Sequence, residues 1–291
     1  MAVFNLGSIN ADLFYQVPHL PVPGETLAST DHRRGLGGKG ANMSVAIARA
    51  AARVVHIGAV GLDGRWAVDR LLEYGVDTRF VSELEHQTGH AIIMVDANGE
   101  NAILLFQGAN HALSEPHVAA ALHHATEKDT FLFQNETSAQ LNGATLASAK
   151  GLRVVYAAAP FDAEAVQAVL PLLDIIVMNS VEADQLCAAM DTPLTDLPVR
   201  DIVVTLGGDG CRWLNRDLGS DQVFPAVPVV PVDTTGAGDT FTGFLVAGLD
   251  RGMPMEQAIA LGQQAGAIMV TRHGTADVIP DLKDVQDARF S

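Results

Sequence analysis

Short apolar runs alternate with helix-spaced segments along almost the whole chain, and this alternation restricts the possible folds more than any other feature. AVFNLG (2–7) reads as a strand and GANMSVAIARAA (40–51) as a helix. VVHIGAVG (54–61) is again strand-like and RWAVDRLLEYG (65–75) helical. TFLFQ (130–134), RVVYAA (153–158), DIIVMN (174–179) and DIVVTLG (201–207) repeat the strand pattern, each followed by a helical or turn segment. Val- and Ile-rich runs separated by helices predict parallel strands buried on both faces. The expected fold class is therefore α/β, a doubly wound, mostly parallel sheet with helices on both faces, whose ligands bind beyond the C-terminal ends of the strands.

Two stretches break the alternation. Residues 12–36 carry DLFYQV, then PHLPVPGE, then a polar run without helical period; residues 89–106 read GHAIIMVD, the turn ANGE and NAILLF, a hairpin pattern. These segments are expected to form a small β-layer outside the main sheet. With no repeat or linker in view, the expectation is one domain over 1–291 with a β lid from about 12–36 and 89–108.

Charge and cysteine content exclude several function classes. A formal net charge of −16 is the wrong sign for nucleic-acid or anionic-membrane partners, because phosphate binding draws on excess Lys and Arg. Two cysteines are too few for a disulfide framework, and the apolar N-terminal run lacks the basic start of a signal peptide. No run is long and apolar enough to span a bilayer. The expected location is cytoplasmic.

The chemistry concentrates in glycine-rich turns. GLGGKG (35–40) matches G-x-G-x-x-G literally, yet a polar segment precedes it where a dinucleotide fingerprint needs the first strand, and Lys39 is followed by Gly40 rather than Ser or Thr. What remains is a glycine-rich helix entry carrying a lysine, either a tight start or a ligand contact. DTTGAGD (233–239) has glycines that admit a ligand close to the backbone, followed by a helix whose first N–H groups form an anion site. Asp239 at that junction suits a reaction that develops negative charge and also removes a proton, as phosphoryl transfer to an alcohol does. Its plainer role is a favourable first-turn acid. Asn179 and Glu182 have capping-box spacing, which equally suits two oxygen ligands for a hydrated Mg²⁺. TLGGDG (205–210) reads as a hairpin turn or as a backbone shelf for a nucleotide. The ten histidines show no H-E-x-x-H spacing and there is no G-x-S-x-G elbow, which argues against catalytic zinc and an α/β-hydrolase.

Taken together, GSINAD (7–12), PGET (23–26), GGKGAN (37–42), GAN (108–110), FQNE (133–136), NSVE (179–182), TLGGDG, DTTGAGDTF (233–241) and AIMVTRHG (267–274) resemble the ribokinase branch of the PfkB sugar kinases. The resemblance covers Gly7 to about Pro280. It implies an ATP-dependent sugar kinase that makes D-ribose 5-phosphate, with Asp239 as general base and the Gly236, Ala237 and Gly238 backbone as anion hole. By the same resemblance Asn10, Asp12, Gly38, Lys39, Asn42 and Glu136 would bind the sugar, and Asn179, Thr205, Gly207, Gly210 and Gln263 the nucleotide. Asn179 and Glu182 would meet Mg²⁺ through water. Asp233 and Thr235, with backbone carbonyls near Arg272 and Gly274, would hold K⁺. Lid strands of two subunits would pair into a homodimer.

The chain departs from the family pattern at Ala157, Ser180, Gln263 and Val278, positions that bear on the nucleotide and the monovalent ion rather than the sugar. The alternatives are a kinase for a nucleoside or another sugar and, from another class, a non-catalytic sugar or nucleotide sensor on the same fold. An NAD-dependent oxidoreductase is discarded, since no acid lies between Ala50 and Val60 to hold a ribose.

Overall fold

The computed structural model describes residues 1–289. Its elements are, in chain order, β1 (Val3–Leu6), β2 (Asn10–Gln16), β3 (Asp31–Gly37), α1 (Lys39–Arg49), β4 (Val54–Gly61), α2 (Arg65–Glu73), β5 (Asp77–Leu84), β6 (Gly89–Val95), β7 (Asn101–Phe106), α3 (Glu115–Leu122) and β8 (Thr130–Gln134). There follow α4 (Gln140–Ala149), β9 (Arg153–Ala157), α5 (Ala163–Val169), β10 (Ile175–Asn179), α6 (Ser180–Met190), β11 (Asp201–Thr205), β12 (Cys211–Asn215), β13 (Ser220–Phe224), α7 (Ala237–Asp250), α8 (Met255–Met269) and α9 (Leu282–Asp287).

Nine strands form one sheet in the order β13-β12-β11-β10-β9-β8-β1-β4-β5, parallel from β11 to β5. Strand residues feed two cores in alternation, as a pleat covered on both faces requires. Val3 and Val155 pack under α1, α2, α7 and α8, whereas Phe4, Val154 and Tyr156 pack under α3 to α6. The doubly wound expectation holds.

Four strands fall outside the sequence pattern. β5 (DTRFVSEL) is an edge strand, so its outer positions stay polar and no apolar run marks it. β12 and β13 run antiparallel as a hairpin extension of β11, outside the parallel pattern. β3 lies within the polar run after PHLPVPGE because its first four residues are exposed.

The second sheet has the order β3-β2-β6-β7, antiparallel at both outer pairings and parallel between β2 and β6. It is the small β-layer expected from 12–36 and 89–106. Its edge strand β7 exposes four consecutive apolar side chains, Ile103, Leu104, Leu105 and Phe106, each more than 40% accessible.

Two glycine contacts seat the helices that matter most. A Cβ on Gly7 or Gly40 would fall within the other's backbone, so the end of β1 and the first turn of α1 touch main chain to main chain. A Cβ on Gly243 would collide with the Cβ of Ala46, so α7 lies equally close against α1.

Candidate active site

Three carboxylates and a lysine converge where the small sheet meets the main one. Asp12 projects from β2 and is 6% exposed; its carboxylate lies over Gly37 of the paired strand β3, where any side chain would displace it. Burial, then the charges of Glu136 and Asp239, raise its pKa to about 7 against a weaker opposing hydrogen bond from Thr275. Glu136, just after β8, is likewise raised by burial, opposed by Lys39 and by hydrogen bonds from Ser8 and the Lys39 N–H. The Lys39 ammonium is held above its usual range, chiefly by Asp239 against burial, with help from Glu136 and Glu182. Lys39 therefore stays charged beside these carboxyl groups.

Glu136 has a second task. Its Oε2 accepts the Lys39 backbone N–H at 3.1 Å and the Ser8 hydroxyl, while the Gly40 and Ala41 N–H groups bond Ser8 Oγ and Ser8 O at 3.3 and 2.9 Å. These contacts satisfy the orphan donors of the first turn of α1. Gly38, at φ +90°, supplies the turn into that helix, a conformation that favours glycine. The GLGGKG stretch is thus the end of β3 and the start of α1, consistent with rejecting the dinucleotide reading.

Asn10 lines the same pocket from β2. The Ile9 N–H donates to Asn110 Oδ1 at 2.9 Å, so the Asn110 amide nitrogen must donate onward, to Asn10 Oδ1 at 2.7 Å. The Asn10 amide nitrogen is left as the donor. Asn110, in the GAN block, is a polar partner of this pocket that its local spacing does not mark.

A buried polar chain runs under α1. Gln134 Nε2 donates to Asn5 Oδ1, and Asn5 Nδ2 donates to Gly40 O and Ser44 Oγ, all at 2.8 Å. The Ser44 hydroxyl then donates to His56 Nδ1 at 2.8 Å, because His56 Nε2–H is committed to the Gly7 carbonyl at 3.1 Å. Burial lowers the His56 pKa to about 4, against the Gly7 bond, so the ring is neutral. No spacing in the sequence marks these residues as partners.

Asp239 stands at the third position of α7, 8% exposed, and its Oδ2 accepts a 2.8 Å hydrogen bond from Asn42 Nδ2. Gly236 precedes the helix at φ +72°. The Ala237 N–H closes a turn onto the Thr234 carbonyl at 3.2 Å, so of the expected anion-hole donors it is partly committed. The N–H groups of Gly238 and Asp239 lie in the first turn and lack helical partners. On the far side a cleft of about 340 Å³ is lined by Thr205, Gly207, Gly210 and Gln263 together with Ala237 and Gly238. TLGGDG is accordingly both the β11–β12 hairpin and a wall of that cleft. Gln263 is tied back, its Nε2 donating to the Phe224 and Pro225 carbonyls at 3.2 and 3.1 Å.

Asn179 and Glu182 form the capping box that their spacing permits, with Glu182 N–H to Asn179 Oδ1 at 2.9 Å and Asn179 N–H to Glu182 Oε2 at 2.8 Å. The helix cap is thus real, and a direct metal clamp from both side chains is displaced by it; the Asn179 amide nitrogen and the second Glu182 oxygen are not part of the box. Among the described residues no group of three or more His, Cys, Asp or Glu is arranged to hold a metal ion. Asp233 accepts the Thr235 N–H at 2.9 Å and the Gly274 N–H at 3.3 Å. Burial alone would raise its pKa, but these hydrogen bonds outweigh it and the pKa lies below the usual value. Arg272 directs its guanidinium away, to the Val278 carbonyl and Asp284 at 3.0 Å each, which leaves only its carbonyl as a cation ligand.

Comparison with known proteins agrees with this arrangement. The family profile described as pfkB family carbohydrate kinase matches residues 2–282. A ribokinase of Haemophilus influenzae is 35% identical over 96% of this chain and 95% of its own length. A deoxyribokinase of Salmonella typhi is 29% identical over 99% and 98%. The structure of a ribokinase from Cryptococcus neoformans var. grubii in complex with ADP superposes with a TM-score of 0.84 at 32% identity, covering 98% of both chains.

The Asp12 environment has a measurable consequence for stability. Between about pH 4 and pH 7 the folded state keeps a proton on Asp12 that the unfolded chain releases, so Asp12 makes stability fall as pH rises through that window and level off above it. Urea unfolding of Asp12→Asn against the unmodified protein should give a stability gain for the variant that grows with pH, to on the order of 2–4 kcal/mol at pH 8. A difference independent of pH would show that Asp12 is not held protonated.

Proposed function

We propose that this chain, which belongs to the pfkB family of carbohydrate kinases and is an ATP-dependent kinase, phosphorylates the primary hydroxyl of D-ribose. The observation that carries this reading is the position of Asp239, between an acceptor-rich pocket and the glycine-lined cleft. Asp12, Glu136 and Asp239 can only accept when ionised, which suits a neutral polyol offering adjacent hydroxyl donors. The same charges repel a sugar already bearing phosphate. Ribose in particular is supported by the name of the Haemophilus relative, and the Salmonella deoxyribokinase supports 2-deoxyribose as the second reading.

In the proposed reaction Asp239 takes the proton of the primary hydroxyl as its oxygen bonds to the γ-phosphorus. The bond from that phosphorus to the β–γ bridging oxygen breaks, and ADP leaves with the electron pair. Negative charge on the transferring group meets the Gly236–Gly238 backbone at the helix N-terminus and the Lys39 ammonium. Asn10, Asp12, Gly38, Lys39, Asn42 and Glu136 hold the sugar; Thr205, Gly207, Gly210 and Gln263 hold the nucleotide.

The cation readings fit the donor sets. With no metal-holding group of acids, histidines or cysteines among the described residues, Mg²⁺ would arrive on the nucleotide phosphates, with Asn179 and Glu182 reached through its water shell. Asp233, with its lowered pKa, and the Arg272 and Gly274 carbonyls offer hard oxygen ligands for K⁺, which would lend positive charge and order to the DTTGAG loop. A homodimer through the small sheet is supported by the apolar edge strand β7, an exposed surface of the kind that marks an interface.

A coupled assay with ATP, Mg²⁺ and a panel of pentoses, hexoses and nucleosides should give the highest kcat/KM for ribose, at least about 10-fold above 2-deoxyribose, which lacks a hydroxyl donor. Equal values for the two pentoses would remove the ribose assignment. Asp239→Asn should lower kcat by about 10²–10⁴ with both KM values nearly unchanged, and an unimpaired variant would rule it out as the base. Replacing Na⁺ by K⁺ at matched ionic strength should raise the rate; identical rates would eliminate the monovalent site. Sedimentation should give a dimer that Leu104→Lys weakens, whereas a monomer at micromolar concentration would refute the lid interface.

A further inference from the structure

Asn42 joins the two halves of the site through one amide. Its Nδ2 donates to Asp239 Oδ2 at 2.8 Å, the one hydrogen bond made by that carboxylate's oxygens among the described residues. An ionised carboxylate can only accept, so the amide must present its nitrogen to Asp239 and its Oδ1 to the other side. That Oδ1 is buried and has no partner among the described residues, on a side chain whose residue is 5% exposed. A buried acceptor without a donor is a cost that a donor on a bound molecule removes.

The helices enforce the pairing. Asn42 and Ala46 are one turn apart on one face of α1, and Asp239 and Gly243 are one turn apart on one face of α7. Because Gly243 lets Ala46 approach, the next turn brings Asn42 against Asp239. The surroundings give Asp239 other orientations to avoid: Lys39 on α1 attracts it, while Asp12 on β2, Glu136 after β8 and Glu182 on α6 repel it.

We infer that Asn42 is a positioning residue for the base: it holds the Asp239 carboxylate in the orientation that accepts the proton, and a hydroxyl donor on the acceptor sugar fixes the amide through Oδ1. The inference rests on Asp239 being the base, as proposed above. It predicts that sugar occupancy and base orientation are one event, so an acceptor lacking the hydroxyl that meets Oδ1 loses kcat as well as affinity.

The test is a double-mutant cycle on the full-length protein with ribose and ATP. Asn42→Ala should lower kcat by roughly 10- to 100-fold, the usual loss from a misplaced reacting group, raise KM for ribose and leave KM for ATP unchanged. In an Asp239→Asn background the same change should lower kcat by less than about twofold, since a residue acting through Asp239 has nothing left to position. Asn42→Asp, nearly the same shape and without the donor, should behave likewise and covers the case of a poorly folding alanine variant. Equal kcat losses in both backgrounds, or no loss from either substitution, would overturn the inference. An Asp239→Asn protein with undiminished kcat would instead overturn the assignment of the base.

Discussion

The backbone contact between Gly7 and Gly40 sets the distance on which the whole site depends. Gly7 follows the central strand β1 and Gly40 lies in the first turn of α1, so their meeting places the N-terminus of α1 over the C-terminal edge of the sheet. The chain from Gln134 through Asn5, Ser44 and His56 back to the Gly7 carbonyl ties the same junction with side chains, and each polar group along it has one allowed role. A network whose donors and acceptors can run in one direction only resists sliding of the helix, although the buried Gln134 Oε1 at its end has no partner among the described residues. Lys39 and Asn42 are delivered by that helix, and α7 is then fixed against it through Gly243.

Charge in the pocket is a compromise between binding and stability. Several carboxylates are packed around one lysine, an arrangement suited to the hydroxyl donors of the proposed polyol, yet Asp12 and Glu136 are pushed toward their protonated forms by burial. Glu136 offsets part of this by capping α1, where the helix dipole and a backbone N–H favour its charge. Asp12 has no comparable backbone donor among the described residues, and burial with the neighbouring charges of Glu136 and Asp239 carries its pKa to about 7. Function here is held against local stability, as expected of sites that concentrate like charges.

Asn179 and Glu182 show how one geometry can serve two ends. The capping box uses one oxygen of Glu182 and the oxygen of Asn179, which starts α6 at the end of β10. The same placement leaves the remaining polar atoms near the charge of Lys39 and Asp239, as the mutual influence of these groups on Glu182 indicates. The structural role and the proposed outer contact with a hydrated cation are therefore compatible.

The sequence by itself determined the doubly wound sheet, because buried parallel strands must be continuous apolar runs and the helices between them must carry a 3.6-residue period. It also determined where chemistry would collect, since GGKGAN and DTTGAGD place glycines beside a lysine and acids at helix starts. Edge strands β5 and β13 escaped, being too polar for the pattern, and so did the antiparallel hairpin beside β11. Only the tertiary structure decided which polar residues meet: Asn42 with Asp239, Asn110 with Asn10, and His56 with Ser44 and Gly7. These partners lie between 12 and 197 positions apart along the chain, and a hydrogen bond depends on position in space to within a few tenths of an ångström, which local spacing does not encode.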